Sequence, residues 1–171
     1  CHSTKVILEN RQPIHYSRAA LFGDIDYSAD NTLLLAHATQ IGYSQTLHRN
    51  IQWSPDTNEF FCTPLDSTAI EIEAIARMMK RRGFEPELYT GLMANEEAFK
   101  ALSGKDIDII HVASHGFYMP MSNSGNRSTS VNNAMHSAGI CFAGANNRFA
   151  NNYQPDGMED GILTPAEVEL L

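Results

Sequence analysis

The sequence predicts an α/β fold with a mostly parallel sheet flanked by helices. Three observations carry that prediction. Strand-length apolar runs recur, namely RAALFGDID (18–26), DIDIIHV (106–112) and AGICFAGA (138–145). Stretches with helical spacing separate them, in the strand–helix alternation of α/β proteins. The runs are continuous rather than alternating, which fits strands covered on both faces.

Taken in order, residues 18–26 form a strand stopped by Gly23 and the acidic pair Asp24 and Asp26. TLLLAHA (32–38) has the length of a short helix inside an otherwise poorly patterned stretch that runs to about Pro64. From Asp66 the pattern sharpens: Thr68 and Glu71 have capping-box spacing, and Ile72, Ile75 and Met79 share a helix face. Lys80, Arg81 and Arg82 then suit the last turn, and Gly83 the C-cap. Residues 84–89 read as a strand that Pro86 makes either an edge strand or an irregular one. Asn95 starts a second helix, with Glu96 and Glu97 in its first turn, Phe99 and Leu102 on one face, and Gly104 as its stop. Polar loops are expected over 119–137 and 146–160, on either side of the 138–145 strand. In GILTPAEVELL, Thr164 caps a final helix and Pro165 takes its first position.

Composition narrows the function. The 171 residues suit one domain, 1–171, with a sizeable core; 43% are hydrophobic and 19% charged, which argues against disorder. Twelve basic against twenty acidic residues give a net charge of -8 with no basic block, so nucleic acid is not an expected partner. No apolar run reaches the length of a membrane span, and no signal-peptide pattern opens the sequence. Cys1, Cys62 and Cys141 are odd in number and lack metal-ligand spacing, which favours reduced thiols and a cytoplasmic setting. A first residue that is not Met suggests a fragment or a processed chain.

The chemistry centres on VASHGFY. His115 follows the 106–112 strand, where the carboxyl ends of parallel strands gather reactive groups. Gly116 lets a ligand approach the backbone closely. A histidine there is suited to general acid–base work, while a bland surface-loop histidine is the competing reading. His111 is expected to be a packed strand residue, because H-x3-H presents both rings to one metal only on a helix. No metal or other cofactor is expected.

Six stretches in one order carry a family resemblance: LFGDIDYS (21–28), STAIEIEAIARMM (67–79), LYTGLMANEEAFKAL (88–102), DIDIIHVASHGFY (106–118), GICFAGAN (139–146) and DGILTPAEVELL (160–171). The sequence resembles the CHAT domain, a caspase-like family of cysteine peptidases often fused to tetratricopeptide repeats. All but an insert of roughly 29–61 is covered. The resemblance implies a caspase-like fold whose C-terminal part is missing from this chain, with His115 as the catalytic histidine. It also implies that the Gly116 N–H joins that of the nucleophile in an oxyanion hole. The family nucleophile lies in a segment like S-A-C-E-T-G after the helix begun at DGILT, hence after residue 171.

None of the chain's own cysteines matches it. Cys141 reads as a small core residue, Cys62 as packing and Cys1 as a terminus. The chain is then either the large fragment of a cleaved peptidase or a truncated piece of one. Its implied partners are a C-terminal small fragment carrying the cysteine, a protein substrate and the tetratricopeptide-repeat region of a parent protein. The setting the resemblance suggests is bacterial defence. Asp24, Asp26 and Asp160 are candidates to line the substrate cleft, against a plain reading as strand-end and turn residues; Trp53 and Tyr27 are groove anchors or ordinary packing. The aspartate preference of caspases does not carry over from the resemblance, because no matching arginine is found, and the residue preferred before the cut bond stays open. The rival from another class is a catalytically inactive interaction scaffold.

Overall fold

The structure is a computed structural model and describes residues 17–42, 61–118, 135, 138–151 and 157–171. Cys1, Trp53, most of the expected insert and nearly all of the 119–137 loop lie outside the described residues. The elements are β1 (Arg18–Ile25), α1 (Asn31–Gln40), α2 (Ser67–Lys80), β2 (Glu85–Gly91), α3 (Glu96–Lys100), β3 (Ile109–Val112), β4 (Gly116–Tyr118), β5 (Ala138–Cys141), α4 (Ala145–Asn151), β6 (Ile162–Leu163) and α5 (Pro165–Val168).

Strand β1 organises them. It pairs in parallel with β2 on one side and β3 on the other, giving the order β2-β1-β3. Its side chains alternate between two buried faces. Phe22 points into the larger core, stacked on Tyr89 at 4.5 Å and edge-on to Phe142 at 5.7 Å. Ala19 and Leu21 point the other way, against Ile72 and Ala76 of α2. Gly23 permits that contact, since a Cβ there would lie 2.9 Å from Ile72 Cγ2 and 3.0 Å from the Thr68 carbonyl. The sheet is therefore parallel and flanked by helices, as the alternation predicts. Pro86 sits on β2, an edge strand as its missing N–H requires.

Strand β5 departs from the expected parallel arrangement. It pairs antiparallel with β4 and with β6 in a second three-stranded sheet. An apolar run reports burial and not direction. Here burial comes from packing of Cys141 and Phe142 into the larger core.

One N-cap expectation fails and two hold. Asp66 is the N-cap of α2, and Thr68 lies inside the helix. The Thr68 hydroxyl donates to Leu65 C=O at 2.7 Å and accepts the Asp24 N–H at 2.8 Å, fastening α2 to the end of β1. Asn95, by contrast, caps α3 by accepting the Ala98 N–H at 2.9 Å. Thr164 likewise caps α5, its N–H donating to Glu167 Oε2 at 2.8 Å. The polar 146–160 stretch is not all loop, because α4 occupies its start.

Glu96 and Glu97 do more than meet a helix N-terminus; both are buried. Lys100 Nζ lies 2.8 Å from Glu96, 3.0 Å from Glu159 and 2.8 Å from Glu167, joining α3, the approach to β6, and α5. Burial works to lower the Lys100 pKa, but the charges of Glu96 and Glu167 outweigh it and hold it well above the usual lysine value.

Candidate functional site

The site grows from the carboxyl end of β3. The Ala113 N–H donates to Phe22 C=O at 2.8 Å, so the pairing with β1 continues one residue past the strand. Ser114 and His115 then turn the chain into β4. The Ser114 hydroxyl donates to the Cys141 carbonyl, and the Cys141 N–H donates to the His115 carbonyl at 2.9 Å. The histidine is thus fixed between β3 and β5 before its side chain is considered.

Its imidazole has two neighbours. His115 Nε2 lies 2.7 Å from the Thr63 carbonyl. A carbonyl only accepts, so Nε2 carries a proton, and in the neutral ring it is Nδ1 that keeps the lone pair. The ring of Tyr27 stands edge-on to the imidazole at 5.1 Å, and the Tyr27 hydroxyl accepts the His115 N–H at 3.4 Å. That hydroxyl also meets Ser114 Oγ at 3.1 Å. Burial raises the Tyr27 pKa while the bond to Ser114 works against the rise, so the phenol is neutral at ordinary pH.

Gly116 pairs with Ile140 across β4 and β5. The Cys141 N–H to His115 C=O bond frames that pair from outside, which makes Gly116–Ile140 a non-hydrogen-bonded pair. The N–H of Gly116 therefore points away from β5. Beside the imidazole stands a backbone donor that the β4–β5 ladder does not use.

The segment carrying Thr63 is clamped by Asn146. Its Oδ1 accepts the Cys62 N–H at 2.9 Å and its Nδ2 donates to Cys62 C=O at 2.9 Å. Cys62 is buried as expected, yet the histidine absent from its sequence neighbourhood is close in space. Cys141 is fully buried at the end of β5, as a core residue should be.

A cavity of about 400 Å³ adjoins Tyr27 and Cys62 and is lined by Asp24, Asp26, Ser28 and Phe61 among others. Asp24 and Asp26 thus share a wall with a residue touching His115. Asp24 holds a left-handed backbone, with φ 51°, a conformation uncommon outside glycine. Asp160 lies elsewhere: it is buried, its Oδ1 accepts the Ile162 N–H at 3.0 Å, and its Oδ2 is 3.5 Å from Arg148 Nε. Its neighbour Gly161 is required by shape, for φ is 79° and a Cβ would lie 2.8 Å from both Ala143 O and Ala145 N. His111 is less packed than expected. Its side chain is one-third exposed, with Nε2 3.0 Å from Glu71 Oε1 on α2. The two histidines reach different partners.

Sequence reasoning missed Thr63, Ser114 and Asn146 and left Tyr27 undecided. Thr63 acts through its carbonyl, which every residue type has, so no side-chain motif signals it. Only the fold brings Thr63 and His115 within reach.

No curated protein and no solved structure matches the chain. The CHAT domain family model does, over residues 7–171, which spans nearly the whole sequence and every element of this site. With an oriented histidine and a backbone donor at the end of a parallel strand, the chain belongs to the CHAT domain family.

Proposed function

We propose that the chain is the histidine-bearing part of a cysteine endopeptidase that cuts a protein partner in the cytoplasm, with the nucleophilic cysteine on a segment after residue 171. The family is associated with cysteine peptidases. The observation that carries the reading is His115 with Nε2 held by Thr63 O and Nδ1 left to accept a proton.

The steps follow from that geometry. A cysteine thiol passes its proton to His115 Nδ1, and the thiolate attacks the substrate carbonyl carbon. Negative charge gathers on the carbonyl oxygen, where the Gly116 N–H and the nucleophile's own N–H stabilise it. His115 then protonates the departing amine as the carbon–nitrogen bond breaks. Water, deprotonated by the same nitrogen, hydrolyses the thioester and frees the enzyme. Thr63 O stabilises the imidazolium that forms twice in this cycle. Asp24 and Asp26 line the cavity that takes a substrate side chain, and their charge disfavours an acidic one.

β3 offers the place for the added strand. Like β2 it is an outer strand of the parallel sheet among the described residues, and Ile110 on it is 45% exposed. A strand paired there would carry a cysteine at its carboxyl end beside His115. The test is to express the chain with its downstream segment and assay peptide cleavage with and without a thiol alkylator. Alkylator-sensitive cleavage supports the peptidase; no cleavage of any partner, with the fold intact, would instead support a scaffold.

A further inference from the structure

Two separate stretches of chain meet the His115 imidazole, one through the Tyr27 ring and one through the Thr63 carbonyl. A single residue bonds to both stretches. Asn146, buried in the first turn of α4, donates its backbone N–H to the Tyr27 carbonyl at 2.9 Å. Its side chain reaches the other stretch: Oδ1 accepts the Cys62 N–H and Nδ2 donates to the Cys62 carbonyl, both at 2.9 Å. Nδ2 also donates to Ser28 Oγ at 3.0 Å, next to Tyr27. An N–H only donates and a carbonyl only accepts, so these partners fix which way round the amide stands. Holding Cys62 then aims the Thr63 carbonyl. Thr63 precedes Pro64, whose ring biases the residue before it toward extended backbone. The carbonyl that meets His115 Nε2 is therefore one restricted residue away from the clamp.

We propose that Asn146 is a positioning residue for His115: by holding Cys62 and the Tyr27 stretch at once, it sets the gap in which the imidazole stands and keeps Nε2 bonded to Thr63 O. The consequence for rate rests on the peptidase reading above, whereas the consequence for the ring does not. If the clamp opens, the Thr63 carbonyl drifts, Nε2–H turns to water, and the ring rotates about its side-chain bonds. Nδ1 then spends less time facing an incoming thiol, and proton transfer slows. Only an amide serves in this place. Aspartate keeps an acceptor for the Cys62 N–H but sets a carboxylate oxygen against the Cys62 carbonyl, acceptor facing acceptor. Alanine leaves both backbone groups of buried Cys62 without these bonds. Asn147, the next residue, is the natural comparison. Its Nδ2 donates to Ala29 O at 2.9 Å and to Asn31 Oδ1 at 2.8 Å, so it steadies the chain just after Tyr27 through bonds that do not involve Cys62.

The test reads the ring itself in the full 171-residue chain. In NMR spectra the Nε2–H proton of His115, assigned by its absence from His115→Ala, should be visible in the wild type and in Asn147→Ala, because the bond to Thr63 O slows its exchange with water. In Asn146→Ala that exchange should quicken about tenfold, the net worth of one hydrogen bond. Asn146→Asp, of nearly the same volume, should behave likewise and decides the matter if the alanine variant does not fold. In the chain joined to its downstream segment, either Asn146 variant should lower kcat about 10²-fold with KM changed far less. An unmoved ring signal in a folded Asn146 variant would overturn the proposal. So would an equal change in Asn147→Ala, or the failure of both Asn146 variants to fold, since each marks a role in stability alone. Absence of cleavage by the joined wild-type chain would count against the peptidase reading, and the ring signal would still decide the role of Asn146.

Discussion

His115 is held by three groups that a local reading of VASHGFY does not contain: Thr63 O, the Tyr27 ring and the Cys141 N–H. On the proposed function, His115→Ala in the chain joined to its downstream segment should lower cleavage by several orders of magnitude with the melting temperature little changed. Turnover within tenfold of wild type would remove His115 from the mechanism. His111→Gln should cost less than about 1 kcal/mol, because the pair with Glu71 is largely solvated; a chemical-denaturation midpoint read against wild type checks this. For specificity, peptides with aspartate before the cut bond should be poor substrates, and Asp24→Asn with Asp26→Asn should narrow that handicap by about tenfold in kcat/KM. An unchanged ratio would place the substrate side chain outside that cavity. At this scale the sequence pointed to His115 and Gly116 because a glycine after a strand-end histidine is a local pattern. It could not point to Thr63, whose contribution is a carbonyl placed by tertiary contact.

Elements were legible in proportion to how local their causes are. The Asn95 and Thr164 starts hold because a cap acts within three residues, whereas Thr68 was claimed by the end of β1. The direction of β5 was illegible, since an apolar run has the same pattern parallel or antiparallel. The role of Glu96 was also hidden, as its partner Lys100 collects two further carboxylates from distant chain. Lys100→Met should therefore cost about 3–5 kcal/mol, because it leaves three buried carboxylates without their cation. The folded-state pKa of Lys100 is raised, so its contribution is complete below the unfolded value of about 10.4 and fades as pH climbs past it. Thermal melts from neutral to alkaline pH should show that loss in the wild type and not in the variant. Gly161→Ala should cost more than about 2 kcal/mol, since strain and a backbone clash coincide there.

Across the molecule, β1 is the strand on which everything else depends. Its residues Ala19 to Phe22 have a neighbour on each side, Pro86 to Tyr89 of β2 and Ile109 to Val112 of β3. Both faces of these residues lie in core. Water thus reaches their amides only when the sheet itself comes apart. Local fraying, which serves for most backbone groups, is closed to them. In deuterated buffer the amides of Ala20 and Leu21 should be among the last to lose their protons, at a rate set by global unfolding. The β4 amides, at the margin of the second sheet, should exchange far sooner. The donor at Gly116 would then sit in a part of the chain that opens often, fastened at one end to a strand that hardly opens at all.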